Sequence, residues 1–334
     1  MYHDLGQVTL KSKEKVSLGM VQGPDETWIE RICDLLSHKG FPWNWQNREM
    51  LSRDLGLDAC FFLLHRGGIP FAHVMNVTLD GVGIFGHVFT AENDRRKGAM
   101  SHLISAQMSY FRDHRGKALF LGTGYDSAAY HIYRSFGFQG IEEGSGKMDY
   151  FTENRDAFYQ EYFRPGHGVL ENLNWKHWPT SCALFMGDFP GTVRFMPVRL
   201  LGRQSTEGPL LPLIQEEQER ENRGDSPRVK VARHDESRAV LGVAAWCDHP
   251  LWPGTILLDV YCHPAFWSMG DRLMRVLTWP QDRLVMVYAD ASCPQKTHLL
   301  STLGFKESAL LRARCKDRPM HGRPVDVSVW ERFP

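Results

Sequence analysis

The stretch from Val88 to Leu103 constrains this chain more than any other. An apolar, alternating run ends at Thr90, and a short cationic turn, Arg95-Arg96-Lys97-Gly98, follows it. Met100, Leu103, Ile104, Met108 and Phe111 then recur at helical spacing, so one face of the ensuing helix packs on a core. A strand, a tight turn and a helix in that order aim the helix's unpaired first amides at whatever lies over the turn. Those amides and the helix dipole favour an anion, and Gly98 lets a ligand reach the backbone without a Cβ in the way. A phosphate-bearing cofactor on Arg95, Arg96, Lys97, Gly98, Ala99, Met100 and Ser101 is the expectation.

After this helix come an apolar strand, Ala118 to Leu121, the turn Gly122-Thr123-Gly124, and a second helical stretch that ends in Phe136-Gly137-Phe138. The order of strand, Arg-x-x-Gly-x-x turn, helix, strand and helix resembles the GNAT superfamily of N-acetyltransferases. That family's signature, Arg/Gln-x-x-Gly-x-Gly/Ala, corresponds here to Arg95-Arg96-Lys97-Gly98-Ala99-Met100, with Met100 where Gly or Ala is usual. A second family pattern, Asn-x-x-Ala-x-x-x-Tyr-x-x-x-Gly-Phe, is met at Ala129, Tyr133, Gly137 and Phe138, with Asp126 at the usual Asn.

The resemblance implies direct acetyl transfer from acetyl-CoA to an amine. Residues 95–101 would hold the pyrophosphate, with Asp126 and Ala129 also on the cofactor, and backbone groups of Val88, Phe89 and Thr90 would pair with the pantetheine. Tyr133 would protonate the departing thiolate; a phenol with a pKa of about 10 is matched to an alkyl thiol. The amine must lose a proton first, and His87, Glu92 or a water chain are the candidates, His87 for an imidazole pKa near neutrality. Trp43 and Trp45 fall where the family's first two helices commonly form one wall of the acceptor site.

At 334 residues the chain has room for two domains of ordinary size. Residues 1–16 read as a polar, Lys-rich lead-in, and the elements over 16–151 follow the order β-α-α-β-β-β-α-β-α-β. From 191 a similar order begins again, and Leu303-Gly304-Phe305 answers Phe136-Gly137-Phe138. The expected architecture is therefore a mixed-sheet α/β fold used twice, a tandem GNAT arrangement. Its parts are a catalytic, acetyl-CoA-binding domain over 1–151, a bridge over 152–190 and a non-catalytic copy over 191–334. The second copy lacks the chemistry: its turn reads His263-Pro264-Ala265-Phe266-Trp267, Asp271 adds a like charge to a phosphate's, and Leu300 stands where Tyr133 would.

Acidic and basic residues balance at 39 each, which gives no reason to expect nucleic acid or membrane as a partner. Seven cysteines without a Cys-x-x-Cys pair, and no long apolar run, suit a reducing cytoplasm. His167 and His177 have no third ligand at useful spacing, so no metal is expected. The partner implied is a small-molecule amine, and the state monomer or dimer. Two other readings follow from the same residues: a non-catalytic acyl-CoA sensor, and a GNAT-like enzyme of another acyl-CoA reaction such as decarboxylation.

Overall fold

The computed structural model describes residues 1–334, and the chain divides into two compact units. The first comprises 1–140 and 148–158; the second comprises 141–147 and 159–334.

The first unit opens with strands β1 (Tyr2–Thr9) and β2 (Lys15–Gln22), then helices α1 (Ile29–Leu35) and α2 (Trp43–Ser52). Strands β3 (Asp58–Arg66), β4 (Ile69–Leu79) and β5 (Val82–Thr90) lead to α3 (Ala99–Asp113), β6 (Ala118–Gly122), α4 (Ala128–Ser135), β7 (Gln139–Gly140) and β8 (Lys147–Phe151). They form one sheet in the order β1-β2-β3-β4-β5-β6-β8-β7. From β1 to β5 each neighbour is antiparallel, and β5–β6 is parallel. Both β3 and β4 are nearly continuous apolar runs because helices cover both faces: α3 packs on one side, α1 on the other. Leu103, Ile104, Met108 and Phe111 of α3 meet Phe62, Leu64 and Val74 in the core beneath them.

Residues 2–9, which read from sequence as a loose lead-in, are a strand. β1 pairs with β2 from Tyr2↔Val21 to Thr9↔Lys15. It is an exposed edge strand held by ladder hydrogen bonds, so it carries little apolar signal. Tyr2 anchors its start by stacking on Trp28 at 5.0 Å.

Apart from 141–147, the second unit starts within α5 (Arg155–Tyr162) and continues through β9 (Gly168–Asn172), α6 (His177–Met186), β10 (Val193–Phe195), β11 (Leu200–Leu201) and α7 (Leu210–Arg223). Next come β12 (Val229–His234), β13 (Val240–Asp248), β14 (Thr255–Cys262), α8 (Trp267–Val276) and β15 (Leu284–Asp290). Helix α9 (Pro294–Thr302) and strands β16 (Lys306–Lys316) and β17 (Pro324–Arg332) close the chain. The sheet order is β16-β17-β15-β14-β13-β12-β9, with β14–β15 as its parallel pair. The segment expected to be a bridge is built into this unit: β9 is the edge strand beside β12, and every residue of α6 is buried.

Candidate functional site

In the first unit the parallel strands β5 and β6 pair at three positions only, Val82↔Ala118, Gly83↔Leu119 and Ile84↔Phe120. Beyond Ile84 the two strands part, and Val88, Phe89 and Thr90 at the end of β5 are half-buried. A bulge in β5 lies at the parting. Gly86 opposes Met75 and Phe89 opposes His73, so His87 and Val88 together face Val74. His87 takes φ +53°, a conformation uncommon for a residue with a Cβ, and its carbonyl accepts from His73 Nδ1–H at 2.9 Å.

The near-neutral pKa expected of His87 does not hold. Burial pushes the imidazolium well below the usual range, and the charge of Lys39 pushes the same way. His73 is lowered to about 4, by burial first. Both rings are therefore neutral at physiological pH. Neither nitrogen of His87, nor Nε2 of His73, has a hydrogen-bond partner within the protein.

Helix α2 supplies the facing wall. Trp43, Gln46, Asn47 and Met50 fall on one side of it, and the Trp43 ring meets His87 edge-to-face at 5.1 Å. Gln46 Nε2 reaches Met75 on β4 at 3.4 Å, while both amide atoms of Asn47 lack a protein partner. Trp45 is half-buried on the same helix. Trp43 and His87 are thus brought together, whereas Glu92 is exposed in the turn beyond β5.

That turn delivers the chain to α3. Gly98 sits at φ +84° ahead of Ala99 and offers no side-chain cap, so the first-turn amides of α3, Met100 and Ser101 among them, keep their donor capacity. Arg95 and Arg96 are exposed, and Arg95 Nε donates to the Thr90 carbonyl at 3.2 Å. The Lys97 ammonium lies 2.9 Å from Asp94, so it braces the turn. Asp94 also takes a two-pronged bond from Arg66 at 2.8 and 3.1 Å, and Arg66 in turn grips Glu14. These bonds hold the Asp94 carboxyl down to about 2, Arg66 contributing most. One cation has no signal in the sequence: Lys11, whose amide donates to the Lys97 carbonyl and whose side chain passes 3.5 Å from where a Cβ on Gly98 would stand. Its neighbour in space is 86 residues away in sequence, so no local pattern announces it.

Across the parting, Tyr133 on α4 is buried and its ring meets Phe85 edge-on at 5.3 Å. Phe85 is the first residue of β5 past the last paired position. Asp126 and Ala129 lie at the start of α4, where Ser127 caps the helix and Asp126 pairs with His131 at 2.9 Å.

The equivalent opening in the second unit is filled. There β14 and β15 also pair at three positions, Thr255↔Leu284 to Leu257↔Met286, and then part. The chain's own segment from Pro190 to Met196 crosses the gap. Thr192 and Val193 amides donate to Asp290 at the end of β15, and the Met196 amide donates to Asp259 on β14 at 2.8 Å. Lys296 of α9 binds Asp259 at 2.6 Å and the Val193 carbonyl at 3.2 Å, and Tyr261 donates to the Pro190 carbonyl. Counted back from Gly-Phe, Lys296 stands where the first unit has Ala129.

No protein-family model matches the chain, and no curated protein does. Solved structures do resemble it over about half its length. An N-acetyltransferase from Staphylococcus aureus is 15% identical, with 50% of this chain and 99% of that one covered at a TM-score of 0.36. A GNAT superfamily phosphinothricin acetyltransferase from Sinorhizobium meliloti, in complex with acetyl-CoA, is 18% identical over 49% and 87%, with a TM-score of 0.35. A ribosomal-protein-alanine N-acetyltransferase from Brucella melitensis is 17% identical over 50% and 99%, with a TM-score of 0.34. An antiparallel meander, one parallel pair that parts beside a helix entry, and the same order again from β12 onward make the two units two copies of one mixed-sheet α/β arrangement.

Proposed function

We propose that the first unit is an N-acetyltransferase that moves an acetyl group from acetyl-CoA to a small-molecule amine, and that the second unit is non-catalytic. The observation that carries this reading is the open parting of β5 and β6 beside the uncapped, cation-flanked start of α3. Acetyl-CoA, when bound, supplies an activated acyl group as a thioester. The amides of Ala99, Met100 and Ser101, with Arg95, Arg96 and Lys11, are the donors for its pyrophosphate. Backbone groups of Val88, Phe89 and Thr90, in the bulge and just beyond it, serve the pantetheine and the developing oxyanion. Tyr133 gives its proton to the departing sulfur. His87, neutral and without a protein partner, Glu92 or a water chain takes the amine's proton. No helix is long and apolar enough to cross a membrane, and all seven cysteines are free; we place the reaction in the cytoplasm.

Calorimetric titration with acetyl-CoA tests the reading. One equivalent should bind to the whole chain, and Arg95→Glu/Arg96→Glu should abolish the binding. Tyr133→Phe should lower kcat about a hundredfold while leaving the acetyl-CoA affinity unchanged. No binding, or full activity in Tyr133→Phe, would remove acetyl transfer or its acid respectively.

A further inference from the structure

β4 carries a histidine in the middle of an apolar run. Phe71, Ala72, Val74, Met75 and Val77 are all buried, and His73 among them has no exposed surface. Its ring lies 5.8 Å from that of Phe61 on β3, which fixes it on that face of the sheet. An imidazole placed there loses its hydration, and its Nε2 regains no partner within the protein. The ring does make one bond, from Nδ1–H to the His87 carbonyl at 2.9 Å. That bond sets the tautomer, because a neutral ring that donates from Nδ1 leaves Nε2 as a bare acceptor. A leucine would fill the space without the desolvation cost. The bond to His87 is what the histidine adds.

The carbonyl it holds belongs to a strained residue. His87 takes φ +53° in the bulge, where it and Val88 together oppose Val74. Such a conformation persists only where its surroundings hold it. The peptide that follows is trans, and a trans peptide keeps its C=O and the next N–H on opposite sides. β4 and β6 flank β5 on opposite sides as well. With the His87 oxygen drawn to a side chain of β4, the Val88 N–H is turned away from β4, toward the side where β6 has parted.

We propose that His73 is a positioning residue for acyl transfer: by holding the His87 carbonyl it aims the Val88 amide into the parting of β5 and β6, as the hydrogen-bond donor to the thioester oxygen of acetyl-CoA. This rests on the acetyl-transfer reading above. A donor fixed in this way needs no reorganisation as the oxygen becomes negative, which is where a preorganised amide gives its largest effect. His73 itself touches no reacting atom; it acts through one peptide.

The test follows the acetyl carbonyl of bound acetyl-CoA, so it needs no acceptor amine. A hydrogen bond to that oxygen polarises the C=O and moves its carbon-13 resonance downfield. The full chain saturated with acetyl-CoA labelled at that carbon should show the displacement relative to free acetyl-CoA. His73→Asn should keep it, since the Asn amide nitrogen is bonded to Cγ as imidazole Nδ1 is. His73→Gln, whose nitrogen stands one atom further out, and His73→Leu, which has none, should lose most of it. Calorimetry should find the acetyl-CoA affinity unchanged in all three variants. A packing role alone would not favour Asn over the larger Gln and Leu. A parent resonance at the free position, a displacement that survives in His73→Leu, or a His73→Asn variant that behaves as His73→Leu overturns this inference and leaves acetyl transfer standing. A chain that binds no acetyl-CoA overturns both.

Discussion

Asp94 holds the cationic turn in place while its neighbours face outward. Its carboxylate gathers Arg66 and Lys97, and Arg66 carries the link on to Glu14 beside the β1–β2 turn. Asp94→Asn should destabilise the first unit by about 1–2 kcal/mol in urea unfolding, a modest loss because Arg66 and Lys97 are partly solvated. The pH dependence has a definite sign. The folded carboxyl is depressed to about 2 and the unfolded one titrates near 4, so its contribution is complete above about pH 4 and disappears as pH falls toward 2. The Asn variant should therefore differ from the parent at pH 7 and converge with it at pH 2. At this scale the sequence is readable for residue type but not for surroundings. Arg95, Gly98 and Tyr133 stand at the turn and helix their spacing indicates. His87 stands out in the sequence for an imidazole's ordinary pKa, and burial beside Lys39 changes that pKa; burial is set by α2 and β4, which are remote in sequence.

At the scale of elements, the two units differ most in what lies between their parted strands. In the second unit, Asp259 and Lys296 are both fully buried, and the pair clamps a length of main chain that has no counterpart in the first. Breaking such a pair leaves an uncompensated charge in the interior. Asp259→Ala should cost about 3–5 kcal/mol, while Asp259→Leu combined with Lys296→Met should recover most of that loss. A double-mutant cycle by thermal and urea unfolding measures the difference. The repeat itself is legible, because strands such as Thr255–Cys262 and the Gly-Phe ending keep their apolar runs and turn residues. The crossing segment is not. From sequence, Thr192 to Leu201 reads as an ordinary strand, and the carboxylates that hold the Thr192 and Met196 amides lie 98 and 63 residues further on. β1 is hidden for a related reason, since a polar edge strand owes its place to ladder bonds with β2.

For the molecule as a whole, ligand binding should be felt unevenly. Acetyl-CoA at about a hundred times its Kd adds about 2.7 kcal/mol to the unit that binds it. Hydrogen exchange should report that gain as added protection in 82–104 and 118–134, with no change across 255–302. Protection in both regions would mean that the second opening accepts the ligand despite its occupant, and that the crossing segment does not close it.

The segment held by Asp290, Asp259 and Lys296 has one further consequence. A fold that carries its own filling reaches its full stability as soon as it is synthesised, whatever the supply of metabolite. If the first unit binds acetyl-CoA as proposed, it should be tighter when acetyl-CoA is plentiful and looser when it is scarce. The second, with its opening filled, should be indifferent to that supply. In a starved cell, proteolytic nicking should therefore start in the first unit, and the trimmed product that accumulates should be the C-terminal half.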